Sequence, residues 1–304
     1  MTRRDADKAE AAVAACYSTW AASYYRNYYE SGSAYPPVHQ EIVRRVLDEA
    51  GAASVLDAGC GPASMLRALA APGRDLYGFD LTAEMVREAQ RVMSSLAVPA
   101  DRLWQGSVID PQAFRPPGAG ATAFDAVICI GVLPHVAETD DDVVIRNLQQ
   151  AVMPGGLVIV EGRNQLFSLF TLNRYSHEFF LRELIRAEDL RDALPDDAPA
   201  LDRALETLRE RFRVDLPPRR MGVAGEPGYD EVLSRTHNPL VLREKFVASG
   251  MRDVRVLFYH YHCLPPMLEA ALPDLFRRQS LAMEDPVDWR GYFMASAFLL
   301  VGRR

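Results

Sequence analysis

The stretch Val55-Leu56-Asp57-Ala58-Gly59-Cys60-Gly61-Pro62-Ala63-Ser64 constrains this chain more than any other. It reads as a short apolar strand, a glycine-punctuated turn and the first turn of a helix. Glycine lets such a turn bring backbone close to a ligand, because it has no Cβ to hold anything away. Pro62 opens the helix where a missing N–H costs nothing, and the free amides of that helix point at the same place. A strand–Gly-x-Gly–helix unit is a nucleotide-type binding site.

Two details bear on which nucleotide. The dinucleotide fingerprint wants glycine at its third position, and Ser64 stands there. Asp57 lies two residues before the first glycine, where a carboxylate repels a pyrophosphate but suits a ligand carrying an ammonium and a sulfonium. The charge therefore favours S-adenosylmethionine, with a dinucleotide dehydrogenase as the alternative.

Around this unit the chain alternates strand and helix patterns. Residues 5–31 read as a helix with an aromatic stripe Tyr17, Trp20, Tyr24 and Tyr28. The stripe either packs on the core or forms a lid whose rings face a cationic sulfonium. A helix from Val38 to Glu49 leads into the first strand, and Ala63–Ala71 follows the glycine turn. Leu76–Phe79 is a second strand ending in Asp80, 21 positions after Gly59. An acid there accepts hydrogen bonds from ribose hydroxyls, and Thr82 takes the role of helix cap. The next helix carries Met85, Ala89, Val92 and Leu96 on one face.

Leu103–Gly106 is a third strand with Ser107-Val108 at its tip. Phe124–Ile130 is a fourth, an unbroken apolar run as in a strand buried on both faces. It opens into Gly131–His135, a helix over Val143–Val152 follows, and Leu157–Glu161 is the fifth strand. Residues 163–236 break the alternation with helical patterns only, the mark of a helical cap. Pro239–Ser249 is again a helix, with Gly250 at its C-terminus. Val254–His262 and Phe293–Val301 are strands six and seven. The expectation is an α/β fold, a doubly wound, seven-stranded, mostly parallel sheet. It divides into an N-terminal helical lid (1–50), a cofactor-binding core (51–162), a helical cap (163–236) and the C-terminal part of the core (237–304). Ligands of such sheets gather beyond the strands' carboxyl ends.

Composition excludes several partners. A net charge of −7 argues against a nucleic-acid polyanion. Cys16, Cys60, Cys129 and Cys263 form no C-x-x-C pair, which reads as reduced thiols rather than a disulfide frame or a metal site. No signal-peptide h-region and no spanning apolar run appear, so a cytoplasmic location is expected.

The motifs Val-Leu-Asp-Ala-Gly-Cys-Gly (55–61), Tyr-Gly-Phe-Asp-Leu-Thr-Ala-Glu-Met-Val (77–86), Phe-Asp-Ala-Val-Ile-Cys (124–129) and Met-Pro-Gly-Gly-Leu-Val-Ile-Val (153–160) together resemble the class I S-adenosylmethionine-dependent methyltransferases. The resemblance covers roughly residues 50–162. It implies a Rossmann-like methyltransferase fold, with Asp57, Gly59, Cys60 and Gly61 bordering the methionine part of the cofactor. It further implies that Asp80 takes the ribose beside Leu81, that Ser107 and Val108 flank adenine, and that Ile130 begins the segment under the sulfonium. Tyr24 of the lid joins this set. Two positions depart from the pattern: Ala63 stands where the family often has a third glycine, and Ser107 where it often has aspartate.

Methyl transfer is an in-line displacement, so the protein mainly aligns nucleophile and methyl. A hydroxyl acceptor also needs a base, commonly histidine. His135, His260 and His262 are the candidate bases, the last two on one strand face. Tyr28, Arg163, Asn164, Tyr175, His177 and Arg182 are candidate substrate contacts. The Asn/Asp-Pro-Pro-Tyr/Phe run that stacks a flipped base is absent, with Ile130-Gly131-Val132-Leu133 in its place. The expected reaction moves a methyl group to oxygen or nitrogen of a small-molecule acceptor enclosed by lid and cap. No nucleic acid, membrane or metal is expected, and a homodimer is allowed. The alternatives are a non-catalytic S-adenosylmethionine-binding module, a protein or RNA methyltransferase, and an aminopropyl transferase for which Asp140-Asp141-Asp142 is the faint hint.

Overall fold

The structure is a computed structural model that describes residues 3–21, 24, 36–118, 123–185, 187–193, 195, 198–212 and 232–304. Seven strands form one sheet in the order β3-β2-β1-β4-β5-β7-β6. They are β1 (Ser54–Ala58), β2 (Asp75–Asp80), β3 (Leu103–Gln105), β4 (Phe124–Cys129), β5 (Val152–Arg163), β6 (Arg252–Tyr261) and β7 (Ala295–Arg303). The first five are parallel, and β7 runs antiparallel between β5 and β6. The order reverses between β1 and β4, which opens a crevice at the carboxyl ends of these two strands.

Alternation along each strand sends side chains to two separate cores. Val55, Leu76, Ala126, Ile128, Leu157 and Ile159 meet α2 (Val38–Ala50), α3 (Ser64–Leu69) and α4 (Ala83–Ser94) on one face. Leu56, Phe79, Val127, Cys129, Val158 and Val160 meet α5 (Asp141–Ala151) on the other. Both faces of β4 are buried, which explains its unbroken apolar run. Helix α2 shows the local logic: Ile42, Val43, Val46 and Leu47 form its buried stripe. Each such side chain contributes about 1.5–3 kcal/mol. Gly51 at φ 65° then closes the helix by donating to the Leu47 and Asp48 carbonyls.

Some expectations need correction. The N-terminal helix α1 spans Arg3–Trp20. Tyr24 is also helical, and Tyr28 lies outside the described residues. Helix α3 starts at Ser64 rather than Pro62, because Ala63 adopts φ 62°, a conformation no right-handed helix tolerates. Leu96 falls beyond the end of α4 and is 44% exposed. Strand β5 begins at Val152, since Gly155 pairs with the Arg304 carbonyl instead of ending a helix. Between β6 and β7 the chain also folds a helix the sequence reading did not anticipate, α11 (Pro273–Ala282).

After β5 come short helices: α6 (Ser168–Thr171), α7 (Arg174–Phe179) with a π-helical continuation to Ile185, α8 (Ala187–Ala193) and α9 (Ala198–Phe212). The chain returns along Val232–His237 to α10 (Pro239–Ala248), whose N-cap is Asn238. That return is anchored to the sheet edge: the His237 N–H donates to the Arg163 carbonyl at 2.7 Å, and the Arg235 N–H to the Pro134 carbonyl at 2.8 Å. Among the described residues no helix is long and apolar enough to cross a membrane.

Candidate functional site

A cleft enclosing about 930 Å³ of empty space, part of it open to solvent, lies over the carboxyl ends of β1, β2, β3 and β4. Its floor is the glycine turn. The Gly59 and Cys60 N–H groups both donate to the Phe79 carbonyl, at 2.8 and 2.9 Å, which ties the turn to β2. Gly59 takes φ 86°, and a Cβ there would come within 2.3 Å of Val132. Gly61 takes φ 51° and faces open space. The turn thus needs glycine twice, once for conformation and packing, once for conformation and ligand approach.

Two carboxylates sit in this floor. Asp57 is 2% exposed, and its Oδ1 has no hydrogen-bond partner. Burial first, and the neighbouring Asp80 second, push its pKa up to about 8. A buried oxygen without a partner is costly, and a cation placed on it relieves that cost. Asp80, at the tip of β2, accepts from the Gly61 N–H (2.9 Å), the Thr82 N–H (3.0 Å) and the Thr82 hydroxyl (3.3 Å). Burial raises its pKa while these hydrogen bonds oppose the rise. Asp80 therefore braces the turn as well as lining the cleft. Thr82 caps α4 through Met85, as expected. The Leu81 backbone also hydrogen-bonds the Asp80 carboxylate, so the β2 tip is held from both sides. The Cys60 thiol is buried beside both acids, which raises its pKa well above the usual range and keeps it unreactive.

The wall is built by loops and by α1. Leu81, Ser107, Val108, Ile130, Tyr24 and His135 all line the cleft. Glu10, Val13 and Tyr17 of α1 do so too, and sequence reasoning missed the first two. Their spacing of three and four marks one helix face, but an aromatic stripe drew attention away from it. His135 donates from Nδ1 to the Leu233 carbonyl at 2.7 Å. A carbonyl only accepts, so the neutral ring carries its proton on Nδ1, and Nε2 accepts from the Tyr17 hydroxyl at 2.9 Å. Burial lowers the pKa of His135 to about 4, with the Leu233 bond raising it and Arg163 lowering it.

Other expected residues gather elsewhere. His260 and His262 do share a face, with rings stacked 5.4 Å apart, but neither lines the cleft. They sit at the tip of β6, three strand spacings or about 14 Å from β4, where His262 packs against Phe167 and Phe276. The antiparallel β7 inserted between β5 and β6 is what carries them away. Asn164 is 3% exposed and spends its side chain on backbone. It donates to the carbonyls of Gly291, Tyr292 and Ala295 and accepts from the Leu166 N–H, so it holds the β5 end instead of touching substrate. Arg163 bonds the Ser234 hydroxyl. Tyr175 on α7 is 44% exposed and is covered on one side by Arg174. His177 shares α7, and Arg182 is exposed on the π turn. Asp141 is buried between Arg235 and Lys245, which removes it from any polyamine site.

One further cluster had no sequence signal. The Tyr259 hydroxyl donates to Glu161 Oε1, and the His39 ring lies 5.2 Å from that of Tyr259. Glu161 Oε2 is 3.7 Å from where a Cβ on Gly131 would stand, so this carboxylate lies behind Gly131, itself a lining residue, at the β4–β5 edge. Among the described residues no three His, Cys, Asp or Glu side chains gather to hold a metal ion.

Residues 55–156 match the family model described as "Methyltransferase domain". The chain is 29% identical over 165 residues to a ubiquinone biosynthesis O-methyltransferase of Chromobacterium violaceum, covering 52% of this chain and 67% of that protein. The protein of the same name from Albidiferax ferrireducens is 32% identical over 160 residues, 52% of this chain and 56% of its own length. That from Pseudomonas aeruginosa is 28% identical over 226 residues, 72% and 85% of the two chains. A solved structure, magnesium protoporphyrin IX methyltransferase of Synechocystis, aligns with 88% of this chain and 82% of its own at 15% identity and a TM-score of 0.46.

Proposed function

This chain belongs to the class I S-adenosylmethionine-dependent methyltransferases, and from that premise we propose that it methylates an oxygen of a small molecule, using the cleft over β1–β4 for the cofactor. The observation that carries the cofactor assignment is Asp57, a buried carboxylate with one oxygen left without a partner under the glycine turn. A cationic ligand satisfies that oxygen and favours its ionised form, whereas a pyrophosphate gains nothing from it, which supports S-adenosylmethionine over a dinucleotide. S-adenosylmethionine supplies a methyl group already activated by sulfonium.

The chain's own residues do the rest. Asp57 attracts the positive end, Gly59 and Gly61 let it approach, and Asp80 at the β2 tip faces the ribose. Ile130 and Gly131 stand between this floor and the acceptor side. On that side His135 is the proton acceptor. With its pKa near 4 it is unprotonated at neutral pH, and its Nε2 lone pair faces Tyr17, through whose hydroxyl a proton passes from the acceptor. Glu161 stands behind Gly131 from β5. Oxygen as the target is supported by the shared name of the three relatives. The division that suits this reading keeps 1–50 as lid, 51–162 and 237–304 as core, and 163–236 as the acceptor-side cap. The scattered cysteines, three of them buried and none bridged, suit a cytoplasmic location. Light scattering on the purified chain decides between a monomer and a homodimer.

Calorimetric titration with S-adenosylhomocysteine, with NAD in parallel, tests the proposal. Micromolar binding of the first and none of the second is expected, and Asp80→Ala weakens it. Binding of NAD alone overturns it. A labelled-methyl screen of phenols, amines and carboxylates then identifies the acceptor, and transfer only to nitrogen overturns the oxygen assignment.

A further inference from the structure

Helix α1 brings a carboxylate to the cleft beside Ser107, at the tip of β3. Glu10, Val13 and Tyr17 present one helix face to the cleft, and side-chain hydrogen bonds hold that face along its length. The Ser107 hydroxyl donates to Glu10 Oε1, the Ser18 hydroxyl to Glu84 Oε2 at 3.0 Å, and the Tyr17 hydroxyl pairs with His135 Nε2 at 2.9 Å.

The sequence of polar groups along the cleft decides which part of a nucleoside ligand meets Glu10. Asp57 lies at the switch between β1 and β4 and suits the cationic end. Asp80, one strand further, suits the ribose. The remaining end lies at the tip of β3, where Gly106, Val108 and Met85 give an apolar lining of the kind a purine face packs on, with Ser107 and Glu10 as its polar edge. A carboxylate has no proton to give, so the edge it reads must donate.

We infer that Glu10 reads the base: its carboxylate accepts a hydrogen bond from the exocyclic amino group of adenine, while the Ser107 hydroxyl holds the carboxylate in place. The N-terminal helix is then a specificity element and not only a cover. This rests on the cofactor reading above and adds to it the residue that distinguishes adenine.

The test is calorimetry on the full chain with S-adenosylhomocysteine and with the analogue whose purine carries hydrogen in place of the 6-amino group. The wild type is expected to prefer the amino form by about 10- to 100-fold, the range of a charge-assisted hydrogen bond. Glu10→Ala, at a half-exposed position on a surface helix, keeps the melting temperature and brings the two ligands within about twofold of each other. Glu10→Gln still accepts, without the charge, and leaves an intermediate preference of about three- to tenfold. Equal affinities in the wild type, or an unchanged preference in Glu10→Ala, overturn the inference and leave the cofactor reading standing. Failure of the wild type to bind either ligand overturns both.

Discussion

The two halves of the sheet edge are built by different means. On the β3-β2-β1-β4 side, each polar group stands at the tip of a parallel strand, within a few residues of the strand that carries it. Asp57, Gly61, Asp80 and Ser107 follow directly from local motifs, and backbone bonds such as Gly59 to Phe79 lock them together. From the loop after β4 across β5, β7 and β6, the antiparallel β7 spreads the strand tips apart, and groups meet through long-range contacts. His135 is oriented by Leu233, Glu161 by Tyr259, and the His135 loop by Arg235, each partner lying about a hundred residues away. In the proposed reaction the first half holds the cofactor, and the second half, with the cap, holds the acceptor.

If that comparison holds, substitutions on the two sides separate binding from turnover. The largest effect falls on the acceptor side. His135→Gln lowers the turnover of a labelled-methyl assay by about 10²–10⁴-fold, the usual contribution of a base, while the dissociation constant for S-adenosylhomocysteine stays within about threefold. A parallel loss of affinity places His135 in the cofactor half and breaks the comparison.

Asp57→Asn does the opposite. It weakens S-adenosylhomocysteine by about 10²-fold or more, because a buried charge partner is removed. It also carries a pH signature. The pKa of Asp57 is raised to about 8 in the folded chain, so the stability it contributes is present below the ordinary carboxylate range and is lost as pH rises through 8. The asparagine variant lacks this loss. Melting temperatures of the two proteins therefore coincide near pH 4, and the variant melts higher at pH 9. A variant that melts lower at pH 9 contradicts the assignment.

Arg235→Ala probes the link between cap and loop. Its guanidinium pairs with buried Asp141, and its Nε donates to the Val136 carbonyl at 2.7 Å. Leaving Asp141 with Lys245 alone costs about 3 kcal/mol in chemical denaturation, and turnover falls because the His135 loop loses its anchor. Cofactor affinity is expected to change least of all.

Ala63→Gly gives the smallest effect and tests how finished the binding half is. Ala63 holds φ 62°, a conformation that costs about 1–2 kcal/mol for a non-glycine residue. Relief of that strain is offset by the loss of a buried methyl, about 0.8 kcal/mol, and by glycine's extra entropy in the unfolded chain, about 0.5–1 kcal/mol. The net change in unfolding free energy is expected within about 1 kcal/mol of zero. A larger change in either direction means the turn is not at the compromise its geometry describes.

Much of the binding half was legible because its signals are local. Apolar runs of strand length, glycines at fixed offsets, and an acid 21 residues after the first glycine each act through the backbone within a few residues. Hence Asp57, Asp80, Ser107, Val108 and Ile130, named from motifs far apart in sequence, all line one cleft. The acceptor half resisted the same reading. Asn164 looked like a substrate contact because it follows a strand tip, yet it is consumed by three carbonyls from residues 291–295. His260 and His262 looked poised for chemistry, yet the sheet order sets them at a far edge. Glu161 and His39 gave no pattern at all, because nothing in their neighbourhoods along the chain predicts that they share Tyr259.

The sequence by itself determined the doubly wound sheet, its glycine turn and the carboxylate beneath that turn. Those follow from periodicity, backbone conformation and one buried carboxylate, all short-range physics. Only the tertiary structure decided that α1 closes the cleft with Glu10, that β7 separates the histidines of β6 from the cofactor, and that a residue returning from the cap sets the tautomer of His135. These depend on which distant surfaces lose water against each other, and burial of that kind is a property of the folded chain rather than of any one stretch of it.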